Sequence, residues 1–336
     1  MPLGLMGRSG IEGGGTAMEL VGLARNPVPS GAVIGQFPGY DGVPLRFARW
    51  QATRSPKRGT VCVFTGRTEF IEKYFEVVTD LRRRGFAVAM MDWRGQGASH
   101  RPLDNPRKGF IRDFSEYDRD LKCFMRQIVL PDCPPPYFAL AHSMGGHILI
   151  RNALAPGNWF ERIILAAPML KLHEKTLGTS EWAAKLYAET ATLLGFGGAY
   201  VSGGSDHPTE GPSFESNILT SDRERWTRNA ALVQAAPHLA LGSPTIGWLR
   251  AAFRSMQWLA EPVTATRVAI PMMIFVAGAD SIVEPSAVDD FANRLKSGTR
   301  VLLPSSRHEI LQESEEIRSQ FWAAFDAYMG VESIVA

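Results

Sequence analysis

Residues 139–147, Ala139-Leu140-Ala141-His142-Ser143-Met144-Gly145-Gly146-His147, decide how the rest of the chain is read. Tyr137 to Ala141 is a short apolar run of strand type, and His147 to Leu154 reads as a helix. A strand that enters a helix through so short a turn pushes its central serine into a strained, exposed conformation. The residues two before and two after that serine must be small, because side chains there collide with the crossing backbone. The usual pattern is G-x-S-x-G. Ala141 takes the first small position and Gly145 the second, so one methyl group separates the chain from that pattern. An ordinary serine in a strand-to-helix turn is the plain alternative; the strand and helix on either side, which the motif requires, argue against it.

Outward from this turn the pattern alternates. Thr60 to Phe64 is a β-rich run ending at Gly66, followed by a helix with Tyr74, Phe75, Val78 and Leu81 at helical spacing and a stop at Gly85. Phe86 to Met91 is the next strand. Phe114 to Leu130 has helical periodicity, blocked by Pro134-Pro135-Pro136, and Arg162 to Ala167 is again a strand. Before all of these, Ile34 to Phe37 and Leu45 to Trp50 flank Gly39-Tyr40-Asp41-Gly42 as a hairpin. Between about Lys171 and Pro262 there are helical stretches only: one starting at Thr179 or Ser180, one following Ser221 as its cap, and one carrying Ile246, Leu249, Phe253 and Met256. Alternation resumes with Pro271 to Ala277, a helix near Ala287 to Leu295, Val301 to Leu303, and a closing helix from about Glu315 to Tyr328. Apolar strands alternating with helices predict an α/β protein with a mostly parallel, twisted sheet covered on both faces. The expected division is an extension over 1–32, a core over 33–170 and 263–336, and an inserted helical cap over 171–262. Met1 to about Thr16 reads as a disordered, Gly-rich tail, with Met18 a second candidate start.

Bulk properties narrow the function. Lys plus Arg number 36 against 34 Asp plus Glu, so nothing electrostatic favours nucleic acid. The three cysteines, Cys62, Cys123 and Cys133, lack metal spacing and read as reduced thiols in a cytosolic setting. No segment approaches the roughly 20 apolar residues that span a bilayer.

A serine hydroxyl needs an adjacent base to act as a nucleophile. Of the seven histidines, His308 lies in the loop after the last strand, at the sheet edge where catalytic groups gather. His142 is expected to point away from Ser143. Asp280, after strand Met272 to Ala277 and Gly278-Ala279, is the carboxylate placed to orient His308; Glu284, Asp289 and Asp290 fall too far into the next helix. The order Ser143, Asp280, His308 matches that of a strand-elbow hydrolase. Oxyanion donors are expected from the backbone N–H groups of Met144 and Arg67, with Gly66 permitting the bend. For the Arg67 side chain, a salt bridge to Glu69 or Glu72 and contact with an anionic head group are the two readings. The loop Asp92-Trp93-Arg94-Gly95-Gln96-Gly97-Ala98-Ser99 reads as structural support.

Thr65-Gly-Arg-Thr-Glu-Phe-Ile-Glu-Lys-Tyr74, Asp92 to Ser99, His142 to His147, Gly278-Ala-Asp280 and Leu219 to Trp226 together resemble the bacterial lysophospholipase and monoacylglycerol lipase branch of the α/β-hydrolase superfamily. The resemblance runs from about Val33 over nearly the whole chain. It implies a carboxylic ester hydrolase acting on monoacyl lipids, with Ser143, Asp280 and His308 as triad, Arg67 and Met144 as oxyanion donors, and the insertion as a cap. It departs at Ala141, and at Thr65, where many lipases of the branch carry His; the second change bears on the acyl pocket. Neither cofactor nor metal is expected. The expected partner is a small lipid or ester substrate, met in the cytoplasm with transient contact at the inner membrane surface. Trp182, Leu186, Tyr187, Leu193, Leu194, Phe196, Trp248, Phe253 and Trp258 make the cap apolar; much of that surface is expected to be the cap's own core and its seam with the sheet, and a lipid chain tunnel is the sharper reading. A short-chain carboxylesterase and a non-catalytic binding protein of the same fold are the alternatives.

Overall fold

Runs such as Thr60-Val-Cys-Val-Phe64 cannot hide their side chains on one face, so they form strands covered on both. The computed structural model describes residues 19–208 and 213–332, and among these eight strands form one sheet. They are β1 (Val33–Pro38), β2 (Pro44–Trp50), β3 (Thr60–Phe64), β4 (Ala87–Met91), β5 (Tyr137–His142), β6 (Arg162–Ala166), β7 (Met272–Ala277) and β8 (Gly298–Leu303). The glycine tail and the candidate start at Met18 lie outside the described residues.

The sheet order is β1-β2-β4-β3-β5-β6-β7-β8; β2 runs antiparallel to both of its neighbours, and every other pairing is parallel. The predicted hairpin is β1–β2, closed by Gly39 N–H to the Val43 carbonyl at 2.8 Å, with Gly42 at φ 86°. Order reverses between β3 and β5: the chain winds outward to β4 on one side and to β6, β7 and β8 on the other. Such a reversal opens a crevice at the C-terminal ends of the two central strands.

The helices are α1 (Phe75–Arg83), α2 (Ser115–Phe124), α3 (Leu130–Asp132), α4 (Met144–Ala153), α5 (Glu174–Leu177), α6 (Glu181–Leu193), α7 (Arg223–Ala235), α8 (Ile246–Ala260), α9 (Pro262–Arg267), α10 (Pro285–Arg294) and α11 (Glu315–Met329). Alternating strand residues divide the core in two. Cys62, Phe64 and Ala139 pack with residues of α2, α4 and α8 on one face, while Val61, Val63 and Leu140 pack with α1 and α11 on the other. Cys62 is fully buried, and all three cysteines are free.

Two local expectations are corrected. The predicted single helix over Phe114 to Leu130 is interrupted: Met125–Val129 adopts π-helical hydrogen bonding between α2 and α3. The cap of α7 is Asp222 rather than Ser221, its carboxylate accepting from Arg225 N–H at 2.7 Å. Ser221 instead binds the Glu313 carboxylate. Ser180 is the cap of α6, accepting from Ala183 N–H. Between β6 and β7 the described residues contribute no strand to the sheet.

Candidate active site

Ser143 sits at φ 50° and ψ −114°, a backbone region that β-carbons resist, and it is the residue before α4. The strain is held by its neighbours: Ser143 N–H donates to the Ala166 carbonyl at 3.1 Å, and its own carbonyl accepts from His147 and Met169 N–H, both at 3.0 Å. The small positions are needed. A Cβ on Gly145 would stand 2.5 Å from the Phe64 carbonyl oxygen, and one on Gly146 2.9 Å from Pro168 Cβ. Ala141 is fully buried in the sheet, so its extra methyl is absorbed by the core.

The loops after β5, β7 and β8 converge. His308 Nε2 lies 2.9 Å from Ser143 Oγ, and His308 Nδ1 lies 2.6 Å from Asp280 Oδ2. With the ionised carboxylate accepting, Nδ1 carries the proton and Nε2 is left to accept from the serine hydroxyl. The other Asp280 oxygen accepts from Ile282 and Val283 N–H at 2.7 and 3.0 Å. Burial pushes the Asp280 carboxyl up, but the His308 pairing and those two N–H groups outweigh it and hold it below its usual range. Gly278 lets the β7 and β8 loops touch, since a Cβ there would lie 2.6 Å from the Pro304 carbonyl oxygen.

After β3 the chain turns at Gly66 directly over the serine: a Cβ on Gly66 would come within 3.2 Å of Ser143 Cβ. The backbone N–H groups of Arg67 and Met144, on either side of Ser143, engage no acceptor among the described residues. The loop over Asp92–Ser99 holds this turn from behind. Trp93 Nε1 donates to the Thr65 carbonyl at 2.9 Å, and Gln96 Nε2 to the Gly66 and Glu69 carbonyls at 2.7 and 3.1 Å. Asp92 is itself locked by Arg46 and by Ile71 and Ala98 N–H, and Arg94 ties the loop to Asp41 and Asp120. The loop supports the site without entering it, as its sequence suggested.

Three readings of the sequence change here. His142 does not point away: its ring lies beside that of His308, with centroids 4.8 Å apart, though it makes no hydrogen bond to Ser143 Oγ. Its Nδ1 meets Glu69 Oε2 at 2.9 Å and its Nε2 meets the His308 carbonyl at 3.1 Å. Burial lowers the His142 pKa, but Glu69 more than compensates and the net direction is up. Arg67 pairs with neither Glu69 nor Glu72. Glu72 is taken by Arg46 in a buried bidentate pair, and Glu69 by His142, Tyr74, Lys73 and Gly66 N–H. The Arg67 guanidinium instead donates to the Gly242 carbonyl at 2.7 Å and stacks over Trp248. Thr65, finally, is fully buried and does not line the cavity. The Lys73–Glu69–His142 network, joined by Glu309 at 2.6 Å from Lys73 Nζ, went unread in the sequence; Glu69 and Lys73 four residues apart were its one local sign.

A cavity of about 560 Å³ opens on Ser143 and His308. Its walls are mostly apolar, including Met169, Leu172, Tyr187, Trp248, Leu249 and Val283. Tyr187 and Trp248 thus face the cavity as the tunnel reading expected, and Phe253 is buried. Trp182, Leu186, Leu193, Leu194, Phe196 and Trp258 are exposed to solvent instead. No group of three or more metal-ligating side chains suited to an ion occurs among the described residues, and no helix there is long and apolar enough to cross a membrane.

Residues 55–315 match the family model described as serine aminopeptidase, S33. The chain belongs to that family. The chain is similar to lysophospholipase L2 of Escherichia coli K12, 29% identical over 84% of this chain and 83% of that protein. Rat monoglyceride lipase is 25% identical over 81% of this chain and 86% of its own. Among solved structures, a monoglyceride lipase from Saccharomyces cerevisiae has a TM-score of 0.70 at 19% identity, covering 89% of this chain and 96% of its own. A carboxyl esterase from Bacillus coagulans has a TM-score of 0.69 at 20% identity, covering 89% and 98%. This S33 member is a serine hydrolase with the α/β-hydrolase fold.

Proposed function

We propose that this enzyme hydrolyses carboxylic esters of monoacyl lipids, as a lysophospholipase or monoacylglycerol lipase, with Ser143 as nucleophile, His308 as general base and Asp280 as its orienting carboxylate. The observation that carries the reading is the continuous contact from Asp280 through His308 to Ser143 Oγ, at 2.6 and 2.9 Å, opening on an apolar cavity. Ser143 attacks the ester carbonyl as His308 takes its proton, and the developing oxyanion is held by Arg67 and Met144 N–H. His308 then returns the proton to the leaving alcohol, and a water activated by the same imidazole releases the fatty acid from the acyl-enzyme. Asp280 holds the imidazole in the needed tautomer and stabilises its cationic form. These side chains complete the cycle without a cofactor.

The family description names a peptidase, but the cavity suits an amino-terminal substrate poorly. Among the described residues its two carboxylates, Glu69 and Glu309, are committed to His142 and Lys73, leaving no free anion there for an α-ammonium group. An apolar wall accommodates an acyl chain. Residues 171–262 are assigned as the cap over a core of 33–170 and 263–336, since α6 and α8 supply Tyr187 and Trp248 to the cavity. The outer face of α6 and the turn after it carry the exposed Trp182, Leu186, Leu193, Leu194 and Phe196, which fit transient contact with a lipid surface.

A fluorophosphonate probe and a panel of acyl esters test the reaction. Ser143→Ala is expected to abolish labelling and lower kcat/KM by at least about 10⁴-fold. Labelling that persists in Ser143→Ala, or a steep loss of rate from acetyl to long-chain esters, defeats the assignment.

A further inference from the structure

Arg67 carries a positive charge in the cavity wall and has no negative partner among the described residues. Its guanidinium donates to the Gly242 carbonyl at 2.7 Å and lies over the Trp248 ring at 5.1 Å, while its Nε is buried and has no acceptor. Neighbouring carboxylates are spoken for: Glu69 by His142 and Lys73, Glu72 by Arg46, Glu309 by Lys73, and Asp206 by Tyr200 and Asn105. Among the described residues no ion pair to Arg67 forms. Burial accordingly pulls its pKa down to about 10, and its electrostatic neighbours are two phenols, Tyr117 and Tyr200. One carbonyl and one aromatic face return little against the cost of burying an unpaired cation.

A guanidinium in this state is matched by a phosphate, whose oxygens accept along its planar edge. The placement also fits the substrate. The backbone N–H of Arg67 is the proposed donor to the ester carbonyl, so one arginine side chain separates the oxyanion site from the charge. A glycerol unit separates ester from phosphate in a lysophospholipid by a comparable span. Gly109 lets its backbone pack against the guanidinium and fix it in the wall, since a Cβ there would stand 3.0 Å from Arg67 Nη2.

We propose that the Arg67 side chain is an anion subsite of the acyl cavity, which receives the headgroup phosphodiester of a lysophospholipid and favours it over an uncharged monoacylglycerol with the same chain. The proposal rests on the ester-hydrolase reading and chooses between its two substrates. The competing role for this side chain is a structural clip between the β3 loop and α8.

The test uses the full chain with decanoyl-glycerophosphoglycerol and decanoylglycerol, both kept below micelle-forming concentrations. The measured quantity is the ratio of their kcat/KM values in wild type, Arg67→Gln and Arg67→Lys. Wild type is expected to prefer the phosphodiester. Arg67→Gln is expected to lower the ratio by about tenfold, equivalent to about 1.4 kcal/mol of discrimination, and Arg67→Lys to restore part of it. A wild-type ratio at or below one overturns the proposal even if the variants do not fold. So does an equal loss on both substrates, which is the behaviour of a clip. Inorganic phosphate separates the sources of the anion: it is expected to leave wild-type hydrolysis of decanoylglycerol unaffected, whereas competitive inhibition with an unchanged ratio marks a free-phosphate site and overturns the headgroup assignment. Fluorophosphonate labelling of wild type separates the two failures. A labelled enzyme with an invariant ratio removes this inference alone, and an unlabelled enzyme that cleaves neither ester removes the hydrolase reading with it.

Discussion

Gly66 has no side chain because three groups already occupy the space. A Cβ there would meet Glu69 Oε2 and His142 Nδ1 at 2.9 Å and Ser143 Cβ at 3.2 Å, all of them buried and none at the end of a free side chain. Gly66→Ala must therefore move the β3 turn away from Ser143, carrying the Arg67 N–H with it. Loss of one oxyanion donor costs about 100- to 1000-fold in kcat. The expected outcome for Gly66→Ala is a fall of about 100-fold in kcat with a smaller change in KM, read by steady-state hydrolysis of a soluble ester. A variant within threefold of wild type would falsify the placement of this turn at the oxyanion. The sequence revealed Gly66 as a bend and Ser143, Asp280 and His308 as candidates, because each follows a strand and strand ends are visible as breaks in apolar runs. His142 was misread for the same reason. Alternation along β5 puts it on the face of Phe138 and Leu140, but the direction its ring takes depends on Glu69 and on the His308 carbonyl, which lie 73 and 166 residues away.

At the scale of elements, α6 is unusual in being apolar on two sides. Ala183, Ala184 and Tyr187 line the cavity, while Trp182, Leu186 and Leu193, at spacings of four and seven, stay exposed at 73%, 53% and 79%. Water-facing apolar groups of this size do not stabilise the fold, so replacing them should leave it intact. Trp182→Ser with Leu193→Ser is expected to reduce sedimentation with phosphatidylglycerol vesicles several-fold while changing the unfolding temperature little, since exposed substitutions usually stay within about 0.5 kcal/mol. Unchanged vesicle binding would remove the membrane-contact reading of this helix. The sequence made α6 legible through Ser180 and its apolar spacing, but an apolar stripe does not say whether core, cavity or solvent covers it. The same limit explains α7. Ser221 and Asp222 are both good capping residues; the choice fell to Asp222 because Glu313, distant in sequence, engages Ser221. The π-helical stretch after α2 has no comparable local sign, and α-helical spacing does not anticipate it.

The whole molecule gathers its buried histidines around one reversal of strand order, and two of them respond to pH in opposite senses. His142, paired with Glu69, has a pKa raised above the ordinary value of 6.5. Its contribution to stability is complete below that value and is lost as pH rises through its folded-state pKa. His147 is enclosed between the Met169 carbonyl and Ser255, at 2.7 and 2.6 Å. Burial, with Arg151 nearby, pushes its pKa down to about 3. In that case the unfolded chain takes up a proton that the folded chain refuses, so stability is complete above the unfolded pKa of 6.5 and falls as pH drops toward 3. At pH 5 that loss amounts to roughly 2 kcal/mol. Asp280 and Glu69, both held below their usual range, add their own losses at lower pH, below about 4. The two histidines together give the stability curve an acid arm that belongs to His147 and an alkaline arm that belongs to His142. Thermal unfolding between pH 5 and 9 is the check. His142→Gln is expected to flatten the alkaline arm and leave the acid one, and His147→Gln to do the reverse. Both arms surviving in both variants would assign the pH response to other groups and leave the buried histidines without a part in it.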